Sequence, residues 1–454
     1  MTDRLLADAH VQLICMAPSL VITSVKKTDN RNPFYPFLSS AASTPAPKRR
    51  SSSGGSSSQL VATDPHQLVT WLLELLFYSS SPSSQRFLSY VETQHEVSIV
   101  FEAELLERVP SDALEIEPIR WKALQVASAG AGAFLSQLAI LTELTTQLAR
   151  HDISVFQIST YQTDYILVKS EDLDRAIQCL LGSFCDVEME DGEPYTPTGE
   201  TPSPLDAQEE INNNSNNNNN KRDDATASES LRKHTLSAPD LDLHLVEIDK
   251  SCVRRHMFAL VRLLFGQSRR QRRSREEEHT EEDGQEAEHE REQEDDTSGK
   301  LFLSYSETGD GISIVTSDVA FLEQMEELAR SGEEGVMVSP DSWKVVQIGD
   351  ENLGFNETGI VASHTSVLLN AGTMVFYLST YATDFMLIKE DEWSDALQIL
   401  RANFELLEGQ FAPLIDRSGS ASSFSTEVSD EAEAAAKSED VEPTPEISIA
   451  VTEL

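Results

Sequence analysis

Apolar and polar positions along this chain alternate in two rhythms, and both are clearest between residues 121 and 190. Trp121 to Ala127 reads as a strand, and Leu135, Leu138, Leu141 and Leu148 then mark one face of a helix. Ile153 to Ser159 and Asp164 to Lys169 read as a hairpin around Thr160 to Thr163. Ser170 is placed as an N-cap for a helix whose Leu173, Ala176, Ile177 and Leu180 follow i, i+3, i+4, i+7 spacing. Cys185 to Glu190 supplies a closing strand. Upstream, Val11 to Val25 reads as two short strands. Asp64 followed by Pro65 signals the start of a helix that takes in the apolar stretch Leu68 to Tyr78.

The pattern then repeats. FLSYVETQHEVSIV (Phe87 to Val100) returns as FLSYSETGDGISIV (Phe302 to Val315), and WKALQV (Trp121 to Val126) as WKVVQI (Trp343 to Ile348). STYQTDYILVKSEDLDRAIQCL (Ser159 to Leu180) returns as STYATDFMLIKEDEWSDALQIL (Ser379 to Leu400). The offsets are 215, 222 and 220, in one order, so the chain holds two collinear copies. The helix after the second hairpin keeps its spacing as Trp393, Ala396, Leu397 and Leu400, and Cys252 to Phe265 is the counterpart of the early helix.

Each copy reads as two β-α-β-β-α-β units, an α/β (α+β) ferredoxin-like pattern that serves many unrelated functions. The expected units are 1–120, 121–192, 239–342 and 343–412. Ser, Asn, Glu and Pro tracts are too poor in apolar residues to offset the entropy of ordering. On that ground 39–58, the linker 193–238, the insertion 267–299 and the tail 413–454 are expected to be disordered.

Composition narrows the function. Thirty-five Lys and Arg against 77 Asp and Glu give a net charge of −42, which opposes nucleic acid as a main partner. Cys15, Cys179, Cys185 and Cys252 have neither zinc-site nor disulfide-scaffold spacing, which suits a reducing compartment. Asp3, Asp8 and His10 before the first apolar run, and Pro18 within it, argue against a signal peptide, and the run ending at Tyr78 is too short to span a bilayer. No nucleophile with a base, metal-spaced His/Cys set, P-loop or dinucleotide fingerprint stands in a suitable context, so catalysis is not expected.

HDISVFQISTYQTDYILV (His151 to Val168) and LGFNETGIVA (Leu353 to Ala362), each following a Trp-led strand, resemble the CASTOR family of cytosolic arginine sensors, which are built from tandem ACT domains. The resemblance spans both copies and leaves out the linkers and tail. It implies four ACT units and one amino acid, L-arginine or a similar one, held between the second and the fourth, with no cofactor. It further implies a cytoplasmic protein, a tendency to homodimerise, and control of the TOR growth pathway through a regulator complex that the ligand-free form binds and arginine releases.

The family's ligand-binding acids match Asp384, in STYATDF, and Glu357, in the glycine loop. Which of them would face the guanidinium and which the amino group stays open. Gly354 and Gly359 bracket that loop, together with Phe355, Thr358, Ile360 and Val361; missing Cβ atoms there let backbone groups approach a ligand. Ser154 and Val155 of the first copy match the contacts to the amino-acid head group, and Thr380 and Tyr381 add main-chain contacts. Tyr161, Gln162 and Asp164 match the family's partner-binding surface. Asp164 and Asp384 are repeat partners, so one duplicated turn serves two purposes.

Gly132 aligns with Gly354, but SAGAGAFLSQL (Ser128 to Leu138) has no acid equivalent to Glu357, which favours one site per chain. The chain departs from the family at Ala382 and at Gly372, Thr373 and Met374, leaving the choice of amino acid open.

The same residues admit plainer roles: Asp384 as a turn former, the glycines as a helix cap, Ser154 as a satisfied strand hydroxyl, and 160–164 as a structural turn. Two other functions fit the fold, an ACT-type regulatory subunit of amino-acid metabolism and a scaffold with a degenerate pocket. Arg269 to Asp296 reads as a solvated polyampholyte loop, and Ser51, Ser237 and Ser274 lie near basic residues as candidate phosphorylation sites.

Overall fold

Seventeen strands and seven α-helices, with short 3-10 and π turns, make up the regular structure among the described residues of the computed structural model: 11–26, 65–78, 86–110, 114–128, 134–181, 185–196, 234–265, 302–309, 311–349 and 353–412. These fall in a unit reaching to residue 415; a second unit, 416–454, lies outside the described residues. The first copy runs β1 (Val11–Cys15), β2 (Leu20–Lys26), α1 (Pro65–Leu73), β3 (Leu88–Glu92), β4 (Glu96–Glu102), β5 (Glu115–Ile116) and β6 (Trp121–Ser128). It continues through α2 (Phe134–Arg150), β7 (Val155–Ser159), β8 (Asp164–Lys169), α3 (Leu173–Leu181) and β9 (Cys185–Met189). The second copy runs β10 (Leu236–Ala238), β11 (Asp242–Ile248), α4 (Val253–Phe265), β12 (Leu303–Glu307), β13 (Ile312–Thr316), α5 (Val319–Arg330) and β14 (Val336–Ile348). It ends with α6 (Ile360–Asn370), β15 (Val375–Ser379), β16 (Asp384–Lys389), α7 (Trp393–Asn403) and β17 (Leu406–Glu408).

The strands join into one sheet closed into a barrel, with mixed α/β content and mainly antiparallel pairing. The closure has a physical origin in the duplication. Repeat-partner strands meet antiparallel at two seams. At one, β3 pairs β12 with Tyr90 opposite Tyr305; at the other, β7 pairs β15 with Ile158 opposite Leu378. Each pair sits one offset apart in sequence, as a pseudo-twofold axis requires. Hydroxyls cross the second seam in the same symmetric way: Gln157 N–H donates to Ser379 Oγ at 3.0 Å and Tyr377 N–H to Ser159 Oγ at 3.1 Å.

Within the copies, β14 is continuous across the expected boundary at 342/343, pairing β11 along one stretch and β16 along another. A central apolar cluster draws on both copies, with Trp121, Phe156 and Tyr165 from the first and Trp343, Phe376 and Phe385 from the second. Edge-to-face pairs are duplicated there as well: Phe87 on Tyr165 and Phe302 on Phe385 both have centroids 5.2 Å apart. Such a contact adds about 1 kcal/mol beyond its buried area. On the outside α2 packs on α6, where the Thr142 hydroxyl donates to Thr365 Oγ1 at 3.1 Å between buried residues.

Local expectations are met where apolar spacing set them, as in α2, α3, the β7–β8 hairpin and β9. Ser170 is a correction. A 3-10 turn, Ser170–Asp172, precedes α3, and the Ser170 hydroxyl caps nothing. Ser237 is another, since it lies buried in β10 with its Oγ accepting the Ala412 N–H at 3.0 Å, so its hydroxyl is closed to a kinase. Asp64, Gly132, Ser51, Ser274, residues 39–58 and the 267–299 insertion lie outside the described residues.

Candidate functional site

The sequence STYxTD builds the same tight turn twice. Thr380 donates both its N–H and its hydroxyl to the Thr383 carbonyl, at 2.8 and 2.7 Å. Thr160 does the same toward Thr163, at 2.9 and 2.6 Å. A threonine at each end thus satisfies the turn internally and leaves the following Asp at the first position of a buried strand.

Beside the second of these turns runs the loop Leu353 to Gly359. Leu353 N–H donates to the Ala382 carbonyl at 2.9 Å, so loop and turn are joined through backbone. Gly354 and Gly359 adopt φ of +69° and +80°, a left-handed conformation that a side chain resists, and Gly359 opens α6 as its N-cap. Lys169, from the first copy, donates to Asn356 Oδ1 at 2.6 Å.

Between turn, loop and first-copy strand lies a small cleft continuous with solvent. Nine of the expected ligand residues line it: Ser154 and Val155 from the first copy, and Gly354, Phe355, Glu357, Ile360, Thr380, Tyr381 and Asp384 from the second. Thr358, Gly359 and Val361 do not. Val361 is buried in the core beneath α6, and Gly359 serves as the helix cap. Aromatic rings form a wall, with Phe355 edge-on to Trp121 at 5.8 Å and to Tyr381 at 5.1 Å.

The acids give the cleft its electrostatic character. Burial lifts the Asp384 carboxyl from 3.8 to about 6, against hydrogen bonds from Tyr377 and Ser379 that pull it down, while nearby Glu357 pushes it up. The Tyr377 hydroxyl donates to Asp384 Oδ2 at 2.7 Å. Glu357 meets His234 Nε2 at 3.1 Å. Close by, burial drops His364 from 6.5 to about 4, so that ring is neutral at physiological pH. A desolvated carboxylate beside a second one disfavours anions and rewards a cation that can reach both.

The three residues expected at a partner surface are split by the structure. Gln162 is exposed, with its amide on Glu247; Tyr161 is half-buried, its N–H donated to Ser313 Oγ at 2.9 Å. Asp164 is only 5% exposed and accepts Gln137 Nε2 at 2.6 Å, so its carboxylate faces inward. Burial lifts it too to about 6, opposed by Ser159 and Gln137.

Sequence reading did not single out Trp121, Phe156, Leu353, Ser379 and Thr383 as cleft residues, nor Tyr377 and His234 behind its acids. Trp121 had a signal in the repeated Trp-led strands. His234 had none, because it reaches Glu357 from far along the chain. Among the described residues no group of three His, Cys, Asp or Glu side chains is placed to hold a metal ion, and no helix is long and apolar enough to cross a membrane.

The ACT domain family model matches residues 117–181 and 338–402, one segment in each copy. Cytosolic arginine sensor for mTORC1 subunit 1 of Rattus norvegicus is 26% identical over 339 residues, 74% of this chain and 90% of that protein. The Homo sapiens protein of the same name is 26% identical over 339 residues, 74% of this chain and 91% of its own length. Putative protein CASTOR3P of Homo sapiens is 36% identical over 120 residues, 25% of this chain and 73% of that protein.

Proposed function

This chain belongs to the CASTOR family of ACT-domain proteins, and from that premise we propose that it is a non-catalytic, cytosolic sensor of L-arginine or a closely related cationic amino acid, built as four ferredoxin-like ACT units, that binds its ligand between the second and the fourth. The observation that carries the reading is the convergence of Asp384 and Glu357 from one copy with Ser154 and Val155 from the other on a single cleft. Asp384 and Glu357 receive the two cationic ends of the ligand, the wall of Phe355, Tyr381 and Trp121 covers its aliphatic stem, and the N-terminus of α6 at Ile360 receives its carboxylate.

A ligand so held bridges the two copies and stabilises one arrangement of them. A coupling of about 1–3 kcal/mol is enough to change affinity for a partner 5- to 150-fold. The partner, by the relatives' printed name, is a component of the mTORC1 pathway, and it reads the exposed surface around Gln162 and Tyr161.

A thermal-shift panel of the twenty amino acids on the full chain tests the reading. L-arginine at a hundred times its Kd adds about 2.7 kcal/mol of stability; Asp384→Ala removes that gain and leaves the circular dichroism spectrum intact. Unchanged arginine affinity in Asp384→Ala refutes the site, and a panel without any responding amino acid refutes the sensor.

A further inference from the structure

Glu96, at the start of β4 in the first copy, is 4% exposed, yet it points its carboxylate at the other copy. Its Oε2 accepts the Ser24 hydroxyl at 2.5 Å. Its Oε1 accepts the Ala382 N–H at 3.0 Å and shares the one Thr380 hydroxyl proton, at 2.8 Å, with the Thr383 carbonyl. Two places along the same strand, Ser98 Oγ accepts the Tyr381 N–H at 3.0 Å. Three successive residues of the turn that walls the cleft are therefore received by one strand of the opposite copy.

The repeat-related turn is held differently. Tyr161 N–H does find Ser313, the partner of Ser98, but Gly311 stands where Glu96 would be. The acid there is Glu247 on β11, which takes the side chain of Gln162. The hold of Glu96 passes on, because the Ala382 carbonyl accepts the Leu353 N–H that starts the glycine loop.

We propose that Glu96, with Ser98 beside it, is the positioning residue of the cleft: from the first copy's opening unit it fixes the 380–382 backbone, and through Ala382 the loop that presents Phe355 and Glu357. Affinity for a cationic amino acid then depends on a residue that never touches it. The proposal rests on the ligand reading above for its affinity arm alone. Burial raises the Glu96 carboxyl, with Ser24, Ala382 and Thr380 drawing it back and Glu115 adding to the rise, which fits an acceptor selected for hydrogen bonding in a dry site.

The test uses the full chain and two readouts, amide hydrogen exchange of the peptide spanning 377–387 and calorimetric titration with L-arginine. Glu96→Ala is expected to speed exchange of the Tyr381 and Ala382 amides about tenfold or more and to weaken L-arginine about tenfold, the loss typical of a hydrogen bond to a charged acceptor. Glu96→Gln, whose carbonyl can still accept from Thr380 and Ala382, is expected to stay within about threefold of wild type in both. Wild-type exchange in Glu96→Ala overturns the proposal, and so does damage from Glu96→Gln equal to that from Glu96→Ala. Should Glu96→Ala fail to fold, Ser98→Ala takes its place, with faster exchange at Tyr381 supporting the proposal and no change overturning it. Wild type that binds no L-arginine defeats the ligand reading, and exchange alone then decides the role of Glu96.

Discussion

Replacing Asp384 by Asn is expected to make the empty protein more stable at neutral pH while abolishing its response to ligand. The magnitude follows from the burial of the carboxyl. A rise from 3.8 to about 6 means that the ionised group costs the folded state about 3 kcal/mol relative to the unfolded chain, at about 1.36 kcal/mol per pKa unit. Asn removes that cost and gives up part of the charge-assisted bond from Tyr377, worth about 1 kcal/mol, so a net gain of about 1–3 kcal/mol is expected at pH 7.5.

The sign with pH is specific. Between about pH 4 and 6 the folded Asp384 keeps a proton that the unfolded chain has already released, so wild-type stability falls as pH rises through that window. Below about pH 4 both states are protonated, and the gap between variant and wild type closes. The chain's net charge of −42 also shifts stability with pH, but it is nearly common to both proteins and cancels in their difference. Urea unfolding at pH 7.5, 6.0 and 4.5, with and without L-arginine, provides the measurement. Asp164→Asn is the control, since burial lifts that repeat partner equally, and it should gain similar stability while keeping the arginine response. An Asp384→Asn variant that is destabilised by the same amount at pH 7.5 and 4.5 would show that the carboxylate is not held under a desolvation penalty.

Three further outcomes are expected. L-arginine affinity of the wild type should drop about tenfold for each pH unit below about 6, since the cation needs an ionised Asp384; titration calorimetry across pH 4.5 to 8 checks this. Tyr377→Phe removes the hydroxyl that draws the Asp384 carboxyl down, so the midpoint of that pH profile should move upward, and an unmoved midpoint would speak against the contact. Gly359→Ala should cost about 1 kcal/mol in urea unfolding from backbone strain alone, because the added Cβ meets Ala149 at an ordinary 3.6 Å while φ is +80°.

Much of this architecture was legible in residue order because it is local. The 3.6-residue spacing of Leu173, Ala176, Ile177 and Leu180 and the alternation through Asp164 to Lys169 encode α3 and β8 directly. Asp384, Glu357 and Ser154 were legible only through resemblance, and all three line the cleft. The closure of the sheet was not legible. Nothing in FLSYVE or FLSYSE states that the two strings face each other, since each satisfies an edge strand equally well with any neighbour, and only tertiary geometry selects Tyr305 for Tyr90. The same limit applies to Glu96 and His234, whose partners lie in the other copy or across a long linker. Ser170 failed as a cap because a 3-10 turn took its place, a choice among near-equal local geometries.

The two seams that fasten the copies have a practical corollary. Both are made by pairing between residues far apart on the chain, and the connector between Thr196 and His234 takes no described part in either. Cutting that connector would turn one polypeptide into two complementary fragments held together by the same backbone ladders and the same aromatic interior. On the proposed ligand reading, an amino acid lodged across them would act as a molecular staple, and the fragments' association constant would report its concentration, the working principle of a split biosensor.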